Sequence, residues 1–216
     1  MKLIFATTNE RKLKDLLDII EKNNYDMEVL TLNDIGWNLG EIEETGNTIQ
    51  ENSLIKARTV YDFCKNKNIN YTILSDDAGL FVDYLNGEPG VYTARYASVE
   101  QKKDSSLPKY ECVNKLLRNL DNVKDRRAEY RCSVTCIYSD GEIFQIDSKT
   151  AGSISYIIQE PIIKPYFYSV FIPEGYEKTF NNLVNEELYN TYRFEALKQV
   201  LFKINGYEVN KVKKIK

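Results

Sequence analysis

Residues 2–12 read Lys2-Leu3-Ile4-Phe5-Ala6-Thr7-Thr8-Asn9-Glu10-Arg11-Lys12, an apolar run that stops at a polar turn and gives way to charge. A run this short, bounded by turn residues, is expected to be a buried strand. Beyond the turn, Leu13, Leu16, Leu17 and Ile20 recur at i, i+3, i+4 and i+7, the spacing of one helix face. The chain thus opens with a strand, a loop and a helix. A second helix is expected from Thr48, whose hydroxyl can cap it, through Ala57, Val60 and Cys64. Residues 71–74 read as another strand that ends in Ser75-Asp76-Asp77-Ala78-Gly79, with extended structure resuming over 80–85 before the turns Asn86-Gly87 and Pro89-Gly90.

Further along, Ala128, Tyr130, Cys132, Val134 and Cys136 alternate with Arg127, Glu129, Arg131, Ser133 and Thr135, the pattern of a half-buried strand. Asp140-Gly141 turns it into a partner over 142–148, and a last helix carries Phe194, Leu197, Leu201 and Ile204 on one stripe. Strands and helices in alternation, with no repeat or linker between them, predict an α/β protein around a mixed sheet. One domain over residues 1–210 with a basic tail over 211–216 is the expected organisation.

The formal charge of −3, from 29 basic and 32 acidic residues, offers no general positive field and argues against a nucleic-acid polymer as partner. The apolar run that ends at Ala6 is too short for a signal-peptide core or a membrane span, so a cytoplasmic protein without a membrane partner is expected. Lys211, Lys213, Lys214 and Lys216 read as a solvated tail. The chain has no histidine, and its four cysteines lack paired C-x-x-C spacing, so structural zinc and histidine-dependent triads are not expected. Cys132 and Cys136 belong on one strand face as small core residues.

Three segments carry residues suited to phosphate chemistry. Thr7, Asn9 and Lys12 lie where a strand meets a helix, and the free N–H groups there favour an anion; the alternative is an Asn9 cap followed by solvated lysines. Glu51, Asn52 and Lys56 fall early on the second helix, with Asn52 and Lys56 on one face. Glu51 is suited to a metal, yet Thr48-x-x-Glu51 also matches a capping box. Asp76 and Asp77 precede an Ala-Gly step at which Gly79 lets the backbone approach a ligand. Neighbouring strand residues face opposite ways, so one of the two aspartates is expected to face the site directly. Carboxylates suit Mg²⁺, and an Asp-rich turn is the alternative.

Together with Glu44-Thr45-Gly46-Asn47-Thr48, these segments resemble the inosine triphosphate pyrophosphatase family. The stretch Ser75-Asp76-Asp77-Ala78-Gly79-Leu80, followed by residues 86–96 (Asn86-Gly87-Glu88-Pro89-Gly90-Val91-Tyr92-Thr93-Ala94-Arg95-Tyr96), is similar to that family's most distinctive element. The resemblance implies an elongated mixed sheet flanked by helices, two lobes around a central nucleotide-binding cleft, and a homodimer. It implies Mg²⁺-dependent cleavage of a purine nucleoside triphosphate between the α and β phosphates, giving monophosphate and pyrophosphate. Deaminated bases such as hypoxanthine or xanthine, carried by ITP, dITP or XTP, are the implied substrates. Carried over, Thr7, Asn9, Lys12 and Lys56 would hold the triphosphate, Glu51 and Asp77 would manage metal and water, and Asp76 would support them. Catalysis falls to Asp77, Glu51 and Lys56, with further substrate contacts at Gly79, Arg95, Phe167 and Arg193. Ala78 departs from the family's hydroxyl residue and removes one phosphate donor.

Residues 164–169, Lys164-Pro165-Tyr166-Phe167-Tyr168-Ser169, replace the family's Gly-Phe-Gly-Tyr-Asp-Pro, with Tyr168 where an aspartate is expected. These aromatics stack either on a base or in the core. The family's Ser-His-Arg stands here as Thr191-Tyr192-Arg193. Arg193 either donates to a 6-keto oxygen or is a surface residue at a helix start. The rewritten half leaves an alternative function: a nucleotide-binding sensor of deaminated purine nucleotides, weak or inactive as a catalyst, that regulates a partner protein.

Overall fold

The computed structural model describes residues 1–98, 109–162 and 164–215, with only the backbone of residue 109 and of residues 208–215. The lysines expected to form a tail have side chains outside the described residues. In chain order the elements are β1 (Lys2–Phe5), α1 (Glu10–Lys22), β2 (Glu28–Leu30), α2 (Ile49–Asn66), β3 (Thr72–Val82), β4 (Pro89–Gly90) and α3 (Lys109–Asn119). There follow β5 (Arg127–Ile137), β6 (Ile143–Ile154), β7 (Phe171–Pro173), α4 (Asn185–Leu188) and α5 (Tyr192–Ile215). The strands make a seven-stranded sheet in the order β2-β1-β3-β5-β6-β7, with β4 on β3. β1 runs parallel to β2 and β3, whereas β4 and β7 pair antiparallel, so the sheet is mixed as expected. No helix among the described residues is long and apolar enough to cross a membrane.

Two compact units divide the chain, the first comprising residues 1–77, 132–148 and 193–216, the second 78–131 and 149–192. In the first unit, α1 starts at Asn9, whose side chain accepts from the N–H groups of Arg11 and Lys12. Its buried stripe is Leu16, Ile19 and Ile20; Leu17, expected on that stripe, is 44% exposed. α2 starts with a complete capping box between Thr48 and Glu51. Its Ala57, Val60 and Cys64 pack with Ile4 and Ala6 of the first strand segment, Ile73 of β3 and Ile137 of β5 in one apolar cluster.

Residues 75–79 do not form the turn that their composition predicts. They are the middle of β3, which runs without a break from Thr72 to Val82. Turn propensity loses because each polar side chain finds a buried partner: Ser75 donates to the Ser53 carbonyl at 2.6 Å, and both aspartates meet cations. The alternation of β5 also needs correction. It holds over 127–131, but from Cys132 onward every residue of the strand is buried. Cys132 and Cys136 do lie buried, and burial pushes the Cys132 thiol up to about 12, which excludes a thiolate nucleophile there.

The second unit is held by aromatic packing. Tyr130 stacks on Tyr192 at 4.9 Å and meets Phe171 and Tyr168 edge-on at 5.0 and 5.3 Å. Phe180 joins them, and the Tyr168 and Tyr192 hydroxyls share a 2.7 Å hydrogen bond. The stripe at Tyr168 and Phe171 is therefore core. Arg126 donates to the carbonyls of Leu120, Ile154 and Ser155, joining the end of α3 to the end of β6.

Gly79 belongs to this unit, and its missing side chain makes room for the protein's own backbone. A Cβ there would lie 2.3 Å from the Gly90 carbonyl oxygen. Gly79→Ala is expected to destabilise the protein by about 1–3 kcal/mol through overpacking. Urea denaturation of the variant against wild type measures it.

Candidate functional site

Adjacent residues on a strand point to opposite faces, and β3 uses this to separate two charged groups. Asp76 faces α1 and the start of α5. Its Oδ1 lies 3.0 Å from Lys12 Nζ, and its Oδ2 accepts a hydrogen bond from Arg193 Nη1. The Arg193 Nε lies 3.8 Å from Asp15 Oδ2 on α1, and Asp15 also faces Arg11 at 3.8 Å. Asp77 faces α2. Its Oδ1 lies 3.6 Å from Lys56 Nζ, which donates to Glu44 Oε1 at 2.7 Å, and its Oδ2 accepts from Asn52 Nδ2 at 3.3 Å.

The local sequence explains this placement. The buried stripe of α2 is Ile49, Asn52, Ser53, Lys56, Ala57, Val60 and Cys64, polar in its first half and apolar in its second. Its polar half lies against Ser75, Asp77 and Thr135, with Ser53 Oγ 2.7 Å from Thr135 Oγ1. On the other side, Lys12 is on the first turns of α1 and Arg193 is the second residue of α5.

The charges are strongly coupled. Burial pushes the Asp76 carboxyl up, but Arg193, Lys12 and Lys56 outweigh it and hold the group well below the usual carboxylate range. Burial lowers Lys12, and Arg193 and Lys56 add to that effect against Asp76 and Asp77. For Lys56, burial is the largest single influence and acts downward. Asp77, Asp76 and Glu44 together exceed it and hold the ammonium above its ordinary value. Burial raises Asp77, opposed by Lys56 and assisted by Glu44 and Asp76. Burial also raises Asp15 against Arg11 and Arg193.

Of the residues singled out from sequence, Thr7, Asn9, Lys12, Glu51, Lys56, Asp76, Asp77 and Arg193 belong to the first unit, and Gly79, Arg95 and Phe167 to the second. Asn9 is a cap, but Lys12 is not solvated, since its side chain is 17% exposed and ion-paired. The N–H groups of Arg11 and Lys12 are already taken by Asn9 Oδ1, so at these two positions the turn offers an anion side-chain charge and not backbone donors. Thr7 Oγ1 accepts from the N–H of Asn9 at 3.2 Å. Glu51 commits its Oε2 to the N–H groups of Asn47 and Thr48, which leaves Oε1 outside the cap. Arg193 is 4% exposed, so it is not a surface residue. Arg95 lies over the Tyr92 ring at 5.3 Å, and Phe167 is buried.

Sequence reasoning gave no role to Glu44 or Asp15 and none beyond a shared helix face to Asn52. The signal for Asp15 and Asn52 was a polar residue on an otherwise buried helix stripe.

Among the described residues, no group of three or more acidic, cysteine or histidine side chains forms a ready cage for a metal. The donor set fits a hard cation in another way. Lys12, Lys56, Arg11 and Arg193 are matched one for one by Asp15, Asp76, Asp77 and Glu44, and Glu51 on α2 keeps Oε1 outside its cap. Mg²⁺ is usually held by one or two carboxylates with phosphate oxygens and water completing the shell. Glu51 and Asp77 are of that kind.

A mixed sheet that carries paired lysines and carboxylates on both faces of one strand is a framework for handling a charged ligand. The Ham1 family model matches residues 3–202, and the chain belongs to that family. It is 37% identical over 204 residues to a dITP/XTP pyrophosphatase of Bacillus licheniformis, covering 92% of this chain and 95% of that one. It is 35% identical over 189 residues to a dITP/XTP pyrophosphatase of Clostridium perfringens, covering 86% and 88%. The solved structure of the Staphylococcus aureus Ham1 protein superposes with a TM-score of 0.79 at 27% identity, covering 96% of this chain and all of that one.

Asp76→Asn is expected to cost on the order of 3–5 kcal/mol near neutral pH, because it leaves Arg193 and Lys12 buried without their carboxylate. The fold depresses the Asp76 pKa, so its contribution is present above the ordinary value of about 3.9 and is lost as pH falls through that value toward the folded one. The stability gap between wild type and Asp76→Asn should therefore narrow in acid. Urea titrations across that range check it.

Proposed function

We propose that this chain is a nucleoside triphosphate pyrophosphatase, a hydrolase that converts deaminated purine nucleoside triphosphates such as ITP, dITP or XTP to monophosphate and pyrophosphate. The observation that carries this reading is the pair Asp76 and Asp77, adjacent in β3 and each set against a lysine on its own face, Lys12 part-buried and Lys56 buried. The names of the relatives supply the substrate class.

Hydrolysis to these products needs a positioned water, donors for the leaving pyrophosphate and compensation of charge. Asp77 is assigned the water. In-line attack on the α-phosphorus forms the new P–O bond and breaks the bond to the bridging oxygen, which departs with pyrophosphate, and Asp77 takes the proton. A carboxyl held above its ordinary value by burial suits a general base better than a free one. Lys12 and Lys56 are assigned the phosphate oxygens, with Thr7 and Asn9 bordering them. Bound Mg²⁺ would neutralise charge on the triphosphate, held by Glu51 and Asp77 together with phosphate oxygens. The reading extends to a cytoplasmic homodimer with one domain over residues 1–210.

A panel of nucleoside triphosphates with Mg²⁺, scored by pyrophosphate release, tests the proposal. ITP, dITP and XTP are expected to outpace ATP and GTP, and Asp77→Asn is expected to lose about 10²- to 10⁴-fold in rate. No turnover of any triphosphate overturns the enzyme reading. Tight calorimetric binding of dITP in that case would favour the sensor instead.

A further inference from the structure

We propose that Asn52 is a positioning residue that fixes the Asp77 carboxylate and ties it to the backbone of the loop bearing Glu44. This rests on the role given to Asp77 above. Asn52 has 0% exposure, so it cannot touch substrate. Its Oδ1 accepts from the Gly46 N–H at 2.8 Å and its Nδ2 donates to Asp77 Oδ2 at 3.3 Å.

The chemistry of the partners sets the direction of the amide. A backbone N–H only donates, so the carbonyl end must face Gly46, which turns the NH₂ end toward the carboxylate. No other side chain of this size and shape does both. Aspartate accepts from Gly46 but sets carboxylate against carboxylate, and leucine does neither.

The loop is shaped for this contact. A Cβ at Gly46 would lie 2.7 Å from Asn52 Oδ1 and 2.6 Å from Glu51 Cβ, so only glycine lets the loop close on α2. Asp77 is also within the influence of Lys56 from α2, Glu44 from the loop, Lys12 from α1 and Asp76 beside it. Among these, the Lys56 ammonium stands 3.6 Å from Oδ1 as an ion pair, and Asn52 alone donates a hydrogen bond within the described residues, to Oδ2. Two anchors fix the plane of a carboxylate, whose last torsion is otherwise broad. That plane aims the lone pair that would receive the proton from water.

Turnover by Asn52→Ala, Asn52→Asp, Asp77→Asn and the double variant Asn52→Ala/Asp77→Asn tests the link. Asn52→Ala is expected to lower kcat by about 10- to 100-fold with KM little changed, as for other groups that orient a reacting residue. Asn52→Asp keeps the Gly46 bond and should lose kcat as well, which serves where Asn52→Ala does not fold. The double variant should be no slower than Asp77→Asn alone.

A second readout needs no turnover. The Asn52 NH₂ resonances of the full chain, assigned by their loss in Asn52→Asp, should shift in Asp77→Asn. Unmoved resonances, or losses that multiply in the double variant, overturn the proposal. Resonances that move in a protein without turnover uphold the link between Asn52 and Asp77 while the proposed activity falls.

Discussion

An ionised carboxylate with 1% side-chain exposure in the middle of a strand survives only if cations meet it, because stripping its water costs several kcal/mol. Asp76 imposes that condition on the first unit. Lys12 must come from the first turns of α1 and Arg193 from the start of α5, 117 positions away in sequence. Both helices are thereby fixed in register against β3. Asp15 follows from the same condition, since Lys12 and Arg193 together bring more charge than Asp76 alone absorbs and Asp15 lies 3.8 Å from Arg193. The neighbouring Asp77 sets an equivalent demand on the opposite face, and the polar half of α2 meets it.

This condition also explains which features could be read from sequence. The Asn9 cap and the Thr48 capping box are local, each resting on contacts within a few residues, and the first strand shows as an uninterrupted apolar run even though its partners lie far along the chain. Residues 75–79 misled because the same local logic favours a turn for Ser-Asp-Asp-Ala-Gly, whereas the outcome depends on Lys12, Lys56 and Arg193. Likewise, alternation in β5 describes a strand with one open face, which holds only up to Arg131. From Cys132 onward α2 packs on Thr135 and Ile137, a fact of packing that no periodicity in β5 contains.

For the site residues, spacing alone leaves two readings open. Glu51 met both a capping and a metal reading, and the structure shows why the choice was unresolvable locally: the cap takes Oε2 and leaves Oε1 outside it. The departures at Tyr168 and Tyr192 are legible only as absences of aspartate and histidine. What they build is a hydroxyl pair at 2.7 Å within a five-ring core of Tyr130, Tyr168, Phe171, Phe180 and Tyr192. Two departures that touch each other count as one change in packing. Their coupling keeps the second unit satisfied, since each buried hydroxyl supplies the partner the other needs.

The pairing of every site cation with a carboxylate bears on how an anion is received. A free buried ammonium would have to be held at the cost of its lost hydration, whereas Lys56 on Glu44 and Lys12 on Asp76 are already desolvated and fixed. A phosphate that reaches either lysine meets a group in place and adds negative charge to a cluster whose cations and carboxylates already balance. The same arithmetic separates the two faces of β3. Asp76, outnumbered by Arg193, Lys12 and Lys56, is held ionised, while burial with Glu44 and Asp76 nearby lifts the Asp77 carboxyl above its ordinary value against Lys56 and Lys12.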